Sequence, residues 1–233
     1  MKILGIIPAR GGSKGISKKN IKFLGENSLL YYSFQSAQKS VLLDKIILSS
    51  EDAEIISVAN TLGLEVPFIR PENLALDTTS SIEVVQHAIS FFENKGHFFD
   101  AICLLQPTSP FRELGFIDKA IEMFIEKNTD ALISVLEVPQ EYNPHWTFES
   151  NQNDTLLIAT GEKEIIKRRQ DLPNAFFRDG SIYISKVEVI KKGSFFGETL
   201  SYIESNPDFY ANIDTQNDWN KAEEKLTKIL PYI

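Results

Sequence analysis

Ile6-Ile7-Pro8-Ala9-Arg10-Gly11-Gly12-Ser13-Lys14-Gly15-Ile16-Ser17-Lys18-Lys19-Asn20-Ile21 is the stretch whose reading decides the fold. An apolar run that includes Ile3, Leu4, Ile6 and Ile7 ends at a proline. It passes into three glycines and a serine interleaved with Arg10, Lys14, Lys18 and Lys19. Glycine lets backbone amides approach a ligand closely, and fixed cations neutralise phosphate oxygens. The stretch reads as a buried strand feeding an anion-binding loop, with a solvated basic face as the plain alternative. Neither a Walker loop (GxxxxGK[ST]) nor a dinucleotide fingerprint (GxGxxG) fits the spacing. Cations spread along the loop itself suit a triphosphate whose leaving group is neutralised during displacement at phosphorus.

The remainder of the chain sharpens that contrast. Residues 1–25 hold Lys2, Arg10, Lys14, Lys18, Lys19 and Lys22 and no acidic residue, whereas the whole chain of 233 residues carries a net charge of −8. An acidic protein with one basic loop points to a small anion, and argues against a nucleic-acid binder or a polybasic membrane-surface protein. The 42% hydrophobic content is enough for a substantial core, so a single domain spanning 1–233 is expected. Cys103 is the only cysteine. It excludes an intrachain disulfide and, within an apolar run, reads as core. No apolar run reaches membrane-spanning length and no signal-peptide pattern opens the chain, so a cytoplasmic protein is expected.

Working outward, strands alternate with helices. Lys45–Ser50, Ala101–Leu105 with Asp100, and Ala131–Val138 read as strands, and Val66–Ile69 as a weaker one. Helices are expected over 29–37, after Ser50-Glu51-Asp52 up to Gly63, after the polar loop 77–81, and over 114–126. Gly180–Ile184, Leu200–Ile203 and Ala211–Asp214 read as further strands. A last helix, 215–230, has a capping box of Thr215 with Asp218. Such alternation implies a mostly parallel central sheet with helices on its faces and ligand loops at the carboxyl ends of the strands. Residues 139–180 break the pattern with prolines and short apolar segments, as a β-hairpin excursion would, and exposed aromatics there suggest a subunit contact. Phe91, Phe92, Phe98 and Phe99 read as core.

Other loops carry candidate chemistry. Asn212 and Asp214, two apart on an expected strand end, point the same way. They could share a hard cation with phosphate oxygens, Mg²⁺ being content with one carboxylate, phosphates and water; Asp214 could instead be the N-cap of the last helix. Gln106-Pro107-Thr108-Ser109-Pro110-Phe111-Arg112 is either a ligand loop or an ordinary turn after its strand. Arg168, Arg169 and Arg178 offer guanidinium forks for a carboxylate, or surface ion pairs. His87, His97 and His145 show no metal-ligand spacing, and no Ser-His-Asp or Cys-His arrangement supports nucleophilic hydrolysis.

Taken together, IPARGGSKGISKKNI (7–21), RPENLALDTTSSI (70–82), LLQPTSPFR (104–112), RRQDLPNAFFRDGSIYI (168–184) and NIDTQND (212–218) resemble the acylneuraminate cytidylyltransferases. This is the CMP-sialic acid synthetase family, whose members also activate related nonulosonic acids such as legionaminic acid. The resemblance implies a three-layer α/β/α nucleotidyltransferase fold and an Mg²⁺-dependent reaction. In it, the anomeric hydroxyl of a 2-keto sugar acid attacks the α-phosphate of CTP, forming a CMP-sugar and releasing pyrophosphate. By matching positions, Arg10, Lys14, Lys19 and Asp214 would be catalytic, Lys19 or Lys14 stabilising the leaving pyrophosphate, and Asp214 with Asn212 would hold the metal. Ala9, Gly11, Gly12, Ser13 and Asn20 would join Arg10 and Lys14 around the nucleotide, with Arg70, Ser80 and Ser81 near base and ribose. Gln106, Thr108, Ser109, Arg169, Arg178 and Asp179 would face the sugar.

The resemblance also implies a homodimer in which the excursion reaches the neighbour's active site. Two positions depart from the family: Asn212-Ile213-Asp214 stands for the usual Asp-Ile-Asp, and Asp179-Gly180-Ser181-Ile182-Tyr183 for Asn-Gly-Ala-Ile-Tyr. Asp179 would read an amine or hydroxyl on a modified sugar, or pair with Arg178. Another nucleotide or sugar, or a non-catalytic nucleotide-sugar binding protein, are the alternatives.

Overall fold

A computed structural model describes residues 1–233. In chain order the elements begin with β1 (Ile3–Pro8), the short hairpin β2 (Phe23–Leu24) and β3 (Asn27–Ser28), then α1 (Leu29–Gln38), β4 (Lys45–Ser49) and α2 (Ala53–Leu62). After α3 (Ser81–Glu93), β5 (Ala101–Leu104), α4 (Phe116–Lys127) and β6 (Ala131–Glu137) comes a second hairpin, β7 (Phe148–Ser150) and β8 (Leu156–Ile158). The chain closes with β9 (Phe176–Lys186), α5 (Val187–Lys191), β10 (Leu200–Glu204) and α6 (Gln216–Ile229).

Six strands form the central sheet in the order β10-β6-β9-β5-β1-β4. All pairings are parallel except those of β9, which runs antiparallel between β5 and β6. Because successive side chains on a strand face opposite ways, each strand feeds two layers. Ile3 and Ile7 pack with Leu30, Phe34, Ile55, Ala120 and Phe124 of α1, α2 and α4. Leu4 and Ile6 pack with Val85, Ala88, Ile89 and Phe92 of α3 and with Ile190 of α5. A third cluster, built on Trp219, Ala222 and Leu226 of α6, holds Ile16 from the basic loop and Ile213 beside the candidate metal ligands. The expected mostly parallel three-layer sheet is therefore observed, and the third cluster ties the two ends of the chain to the same site.

The helix ends follow from their sequences. Asp52 caps α2 by accepting the amides of Glu54 and Ile55, and Gly63 closes it at φ 80°. Ser80 with Glu83, and Thr215 with Asp218, form full capping boxes at α3 and α6. Thr215, and not Asp214, is thus the cap of the last helix. No helix is long and apolar enough to cross a membrane.

Four expectations need correcting. Residues 66–69 do not form a strand: Glu65 alone bridges to Ile47, and Pro67 has no amide to extend the ladder. Residues 211–214 are an irregular loop without ladder pairing, tied to the segment after β5 by the Ile213 amide donating to the Thr108 carbonyl at 2.9 Å. The excursion is shorter than 139–180, since β9 begins at Phe176 and carries residues 176–180 into the central sheet. Phe98 is exposed at the turn after α3, while Phe92 is buried and Phe91 and Phe99 pack against the same cluster.

Candidate active site

β1, β4 and β5 end side by side, with Pro8 paired to Ser49 and Ile6 to Leu104, so the loops that follow them open on one edge of the sheet. There the loops after β1 and β5, with the segment around Arg70 and with Asp214, enclose a cleft of about 440 Å³ whose wall includes Arg10, Lys14, Lys19, Arg70, Gln106 and Asp214. A second cavity of about 380 Å³ adjoins it, lined by Ser80, Arg178, Tyr183, Ser194, Phe195 and Phe196 among others. Ser81 and Gln106 line both, and mark where ligands in the two would meet.

The basic loop is held from several sides. Asn20, buried, donates from Nδ2 to the Arg10 carbonyl at 3.0 Å, and the Ser13 amide donates to the Gly11 carbonyl at 3.0 Å. The Gly11 amide donates to Glu51 Oε1 at 2.8 Å. Gly15 lies flat on the Asp214 carbonyl, where a β-carbon would overlap it, so glycine is required for close approach. Gly12 has open space where a β-carbon would stand. The buried Ala9 donates its amide to the Ser49 carbonyl at 3.0 Å, extending β1 into the loop.

The four loop cations are not equivalent. Lys19 is only 12% exposed and donates to the Ile213 carbonyl at 2.7 Å and to Asp214 Oδ1 at 3.0 Å, which fixes its ammonium in the cleft. Lys14 is 78% exposed and reaches Asp77 Oδ2 at 2.6 Å, while Arg10 meets Asp77 Oδ1 at 2.6 Å. Lys18, in the left-handed region at φ 49°, turns away to Glu54. Arg70 is buried, donating to the hydroxyl and carbonyl of Ser49 and lying 3.8 Å from Glu51; burial draws its pKa down, with Glu51 opposing. A buried guanidinium with spare donors at the end of β4 suits a neutral polar edge such as a base.

Asn212 and Asp214 do converge, although from a loop: Asn212 Nδ2 donates to Asp214 Oδ2 at 3.3 Å. No group of three or more His, Cys, Asp or Glu side chains is placed so that it could hold a metal ion. One carboxylate and one amide at the cleft edge fit a hard cation only in the mode where phosphates and water complete its shell, as Mg²⁺ allows.

Expected sugar-side residues separate into three groups. Gln106 and Thr108 line the first cleft, and Arg178 lines the second cavity. Ser109 and Asp179 correct the expectation, for both are buried behind the site. Asp179 accepts from the hydroxyls of Ser134 and Ser205 and, at 3.0 Å, from the Ser181 amide, while Ser109 Oγ donates to the Asp179 carbonyl at 3.2 Å. These bonds staple an irregularity where four residues of β9, 179–182, lie opposite Ser134. Gly180 there has φ 81°, and a β-carbon on it would stand 2.8 Å from Ser109 Oγ and 3.3 Å from Gln106 Oε1. Asp179 therefore pairs neither with Arg178 nor with the cavity. Arg169, in the excursion, meets Gln140 and does not line the cleft of its own chain.

Arg112 completes the support. Fully buried, it donates to the Ser181 carbonyl at 2.7 Å and to the Gln106 carbonyl at 3.2 Å, and burial lowers its pKa to about 10. Cys103 is pushed up to about 12 by burial and stays a neutral core thiol. Asp77, Glu51 and Tyr183 were not singled out by sequence reasoning. The signal for Asp77 was available: a basic loop free of acids must find its counter-charge on another segment.

A family model described as Cytidylyltransferase matches residues 4–226. The chain is 36% identical over 225 residues to the pseudaminic acid cytidylyltransferase of Campylobacter jejuni, covering 96% of this chain and 95% of that one. It is 34% identical over 229 residues to the CMP-N,N'-diacetyllegionaminic acid synthase of Legionella pneumophila, covering 97% of each. Among solved structures, a CMP:2-keto-3-deoxy-manno-octonic acid synthetase in complex with CTP shares the fold at TM-score 0.73 and 14% identity, over 98% of this chain and 99% of that one. With the sheet, the cleft and the near-complete family match in agreement, the chain belongs to the cytidylyltransferase family of nucleotidyltransferase enzymes.

Proposed function

We propose that this enzyme joins CMP from CTP to the anomeric hydroxyl of a nonulosonic acid and releases pyrophosphate, in the biosynthesis of a cytoplasmically activated glycan precursor. The observation that carries the reading is the pair of cavities meeting at Ser81 and Gln106, one walled by cations and the other by Arg178, Tyr183 and two phenylalanines. The names of the two relatives supply the substrate class.

In this reading the triphosphate lies along the basic loop. Its β- and γ-phosphates meet Arg10 and Lys14. The sugar's carboxylate meets Arg178, which presents a planar fork. Tyr183 keeps its phenol neutral, since burial raises its pKa, and so remains a hydrogen-bond donor. The anomeric oxygen forms its bond to the α-phosphorus as the bond from that phosphorus to the bridging oxygen breaks. The hydroxyl proton leaves to water, and the electron pair departs on pyrophosphate. Lys19, already immobilised, stabilises charge on the reacting phosphate at little reorganisation cost. Asp214 and Asn212 would hold Mg²⁺, which supplies neutralisation of the phosphate oxygens when bound.

A homodimer completes the reading, with the excursion carrying Arg169 to the neighbour's sugar. Phe148, Leu156 and Leu157 are exposed on its hairpin, which supports a contact there. The test is pyrophosphate release with each NTP and Mg²⁺ against a panel of pseudaminic, legionaminic and sialic acids. Release that requires CTP and one of these acids is the expected result; turnover with another NTP, or with none of the acids, would refute the assignment.

A further inference from the structure

Asp77 has no part in the chemistry above, yet it bridges two of the cations that line the cleft. Its two oxygens are divided between two cations, Oδ1 on Arg10 and Oδ2 on Lys14, both at 2.6 Å. Lys14 is otherwise an exposed, flexible side chain, and Asp77 is its carboxylate partner. The other two loop cations have separate acids, Lys18 on Glu54 and Lys19 on Asp214, so Asp77 alone bridges a pair.

The bridging residue stands on a segment with fixed ends. Arg70 is anchored in the core on Ser49, and Ser80 is locked into the capping box of α3. Between them, Leu74, Leu76 and Thr79 form one wall of the cleft. That wall is tied mainly to itself, through the Thr79 hydroxyl on the Asn73 carbonyl at 3.1 Å and the Ala75 amide on the Glu72 carbonyl at 2.9 Å. Its direct link to the basic loop is Asp77.

We propose that Asp77 is a specificity-determining residue of this cleft, a resident carboxylate that phosphate must displace from Arg10 and Lys14. The inference rests on the nucleotide reading of the cleft. Orthophosphate brings more charge than a carboxylate but is a single compact group, so it gains little beyond the two ion pairs it takes over. A chain of phosphates spans both cations and adds a contact to Lys19, so it displaces Asp77 and frees the wall to follow the ligand. After transfer, Asp77 competes for the same cations with pyrophosphate and promotes its departure. The hydrogen bond from Lys14, and then that from Arg10, hold the Asp77 carboxyl below the usual range, so the competitor is ionised at neutral pH.

Titration calorimetry with orthophosphate, pyrophosphate and CTP tests this on the wild-type protein, Asp77→Asn and Asp77→Glu. With two exposed ion pairs removed, Asp77→Asn should bind pyrophosphate and CTP about fivefold more tightly. Orthophosphate should gain more than either, narrowing the selectivity for polyphosphate, while Asp77→Glu keeps the wild-type order. Unchanged or weakened binding in Asp77→Asn, or an unchanged selectivity ratio, would overturn the inference. The phosphate and pyrophosphate titrations need no turnover. Loss of the transfer reading, seen as no CTP-dependent pyrophosphate release by the wild-type protein, is thus distinguishable from loss of the role of Asp77.

Discussion

The nucleotide cleft and the cavity beside it are built in opposite ways. The cleft draws Arg10, Lys14 and Lys19 from one contiguous loop at the end of a buried strand, with Arg70 and Asp214 added from other segments. The adjoining cavity collects Ser80, Gln106, Arg178, Tyr183 and Phe195 from four distant segments, and its shape depends on the irregularity in β9 at Gly180. In the first, side chains do the work and the backbone supports them. In the second, backbone geometry behind the wall sets the shape, so residues that never touch a ligand should govern selectivity.

The comparison is broken most severely at Lys19. Lys19→Ala should lower kcat by about 10²–10³-fold, the usual effect of deleting one preorganised donor to a developing charge. Steady-state kinetics should show this for every accepted sugar acid. Gly180→Ala should act mainly on the other side. A positive φ and contacts with Ser109 and Gln106 oppose the new β-carbon, and strain of this kind costs about 1–3 kcal/mol. The expected readout is about a tenfold rise in KM for the sugar acid, with KM for CTP little changed; equal rises in both would show that the two cavities are not separately built.

Legibility followed the same division. The loop could be read because its glycines and cations are adjacent in sequence, and the α/β alternation because each strand end and helix cap carries its own local signal at Asp52, Gly63, Ser80 and Thr215. Asp179 could not be read. It lies beside Arg178 in sequence but occupies the irregular part of β9, where Ser134 and Ser205 turn its carboxylate inward. Residues 66–69 and 211–214 have the apolar content of strands, but pairing depends on a neighbour's free edge, which one segment cannot reveal. Asp77 was legible only in part: an acid-free basic loop demands a counter-charge from another segment, but not which acid supplies it, and this one stands some sixty residues after Arg10 and Lys14.

Smaller effects sharpen the picture at the cleft edge. Asn212→Asp adds a carboxylate beside Asp214 and should lower the Mg²⁺ concentration for half-maximal activity by about tenfold. An unchanged Mg²⁺ dependence removes position 212 from the metal site. The capping box at α6 holds the loop that carries Asp214, and Thr215→Ala should cost about 1 kcal/mol in denaturant unfolding. Bonds from the Thr215 side chain and amide depress the Asp218 pKa. The stability it contributes is therefore fully present above the ordinary carboxylate range and is lost as pH falls through its depressed folded value. The difference between wild type and Asp218→Asn should accordingly shrink on acidification below pH of about 4.

The central claim is that a sugar hydroxyl attacks the α-phosphorus of CTP at the junction of the two cavities. A nonulosonic acid labelled with ¹⁸O at its anomeric hydroxyl, incubated with CTP and the enzyme, tests it directly by mass spectrometry of the products. The label should be retained in the bridge between sugar and phosphorus of a CMP-sugar, with unlabelled pyrophosphate released. Label in pyrophosphate, or no CMP-sugar from any acid of the panel, would contradict it.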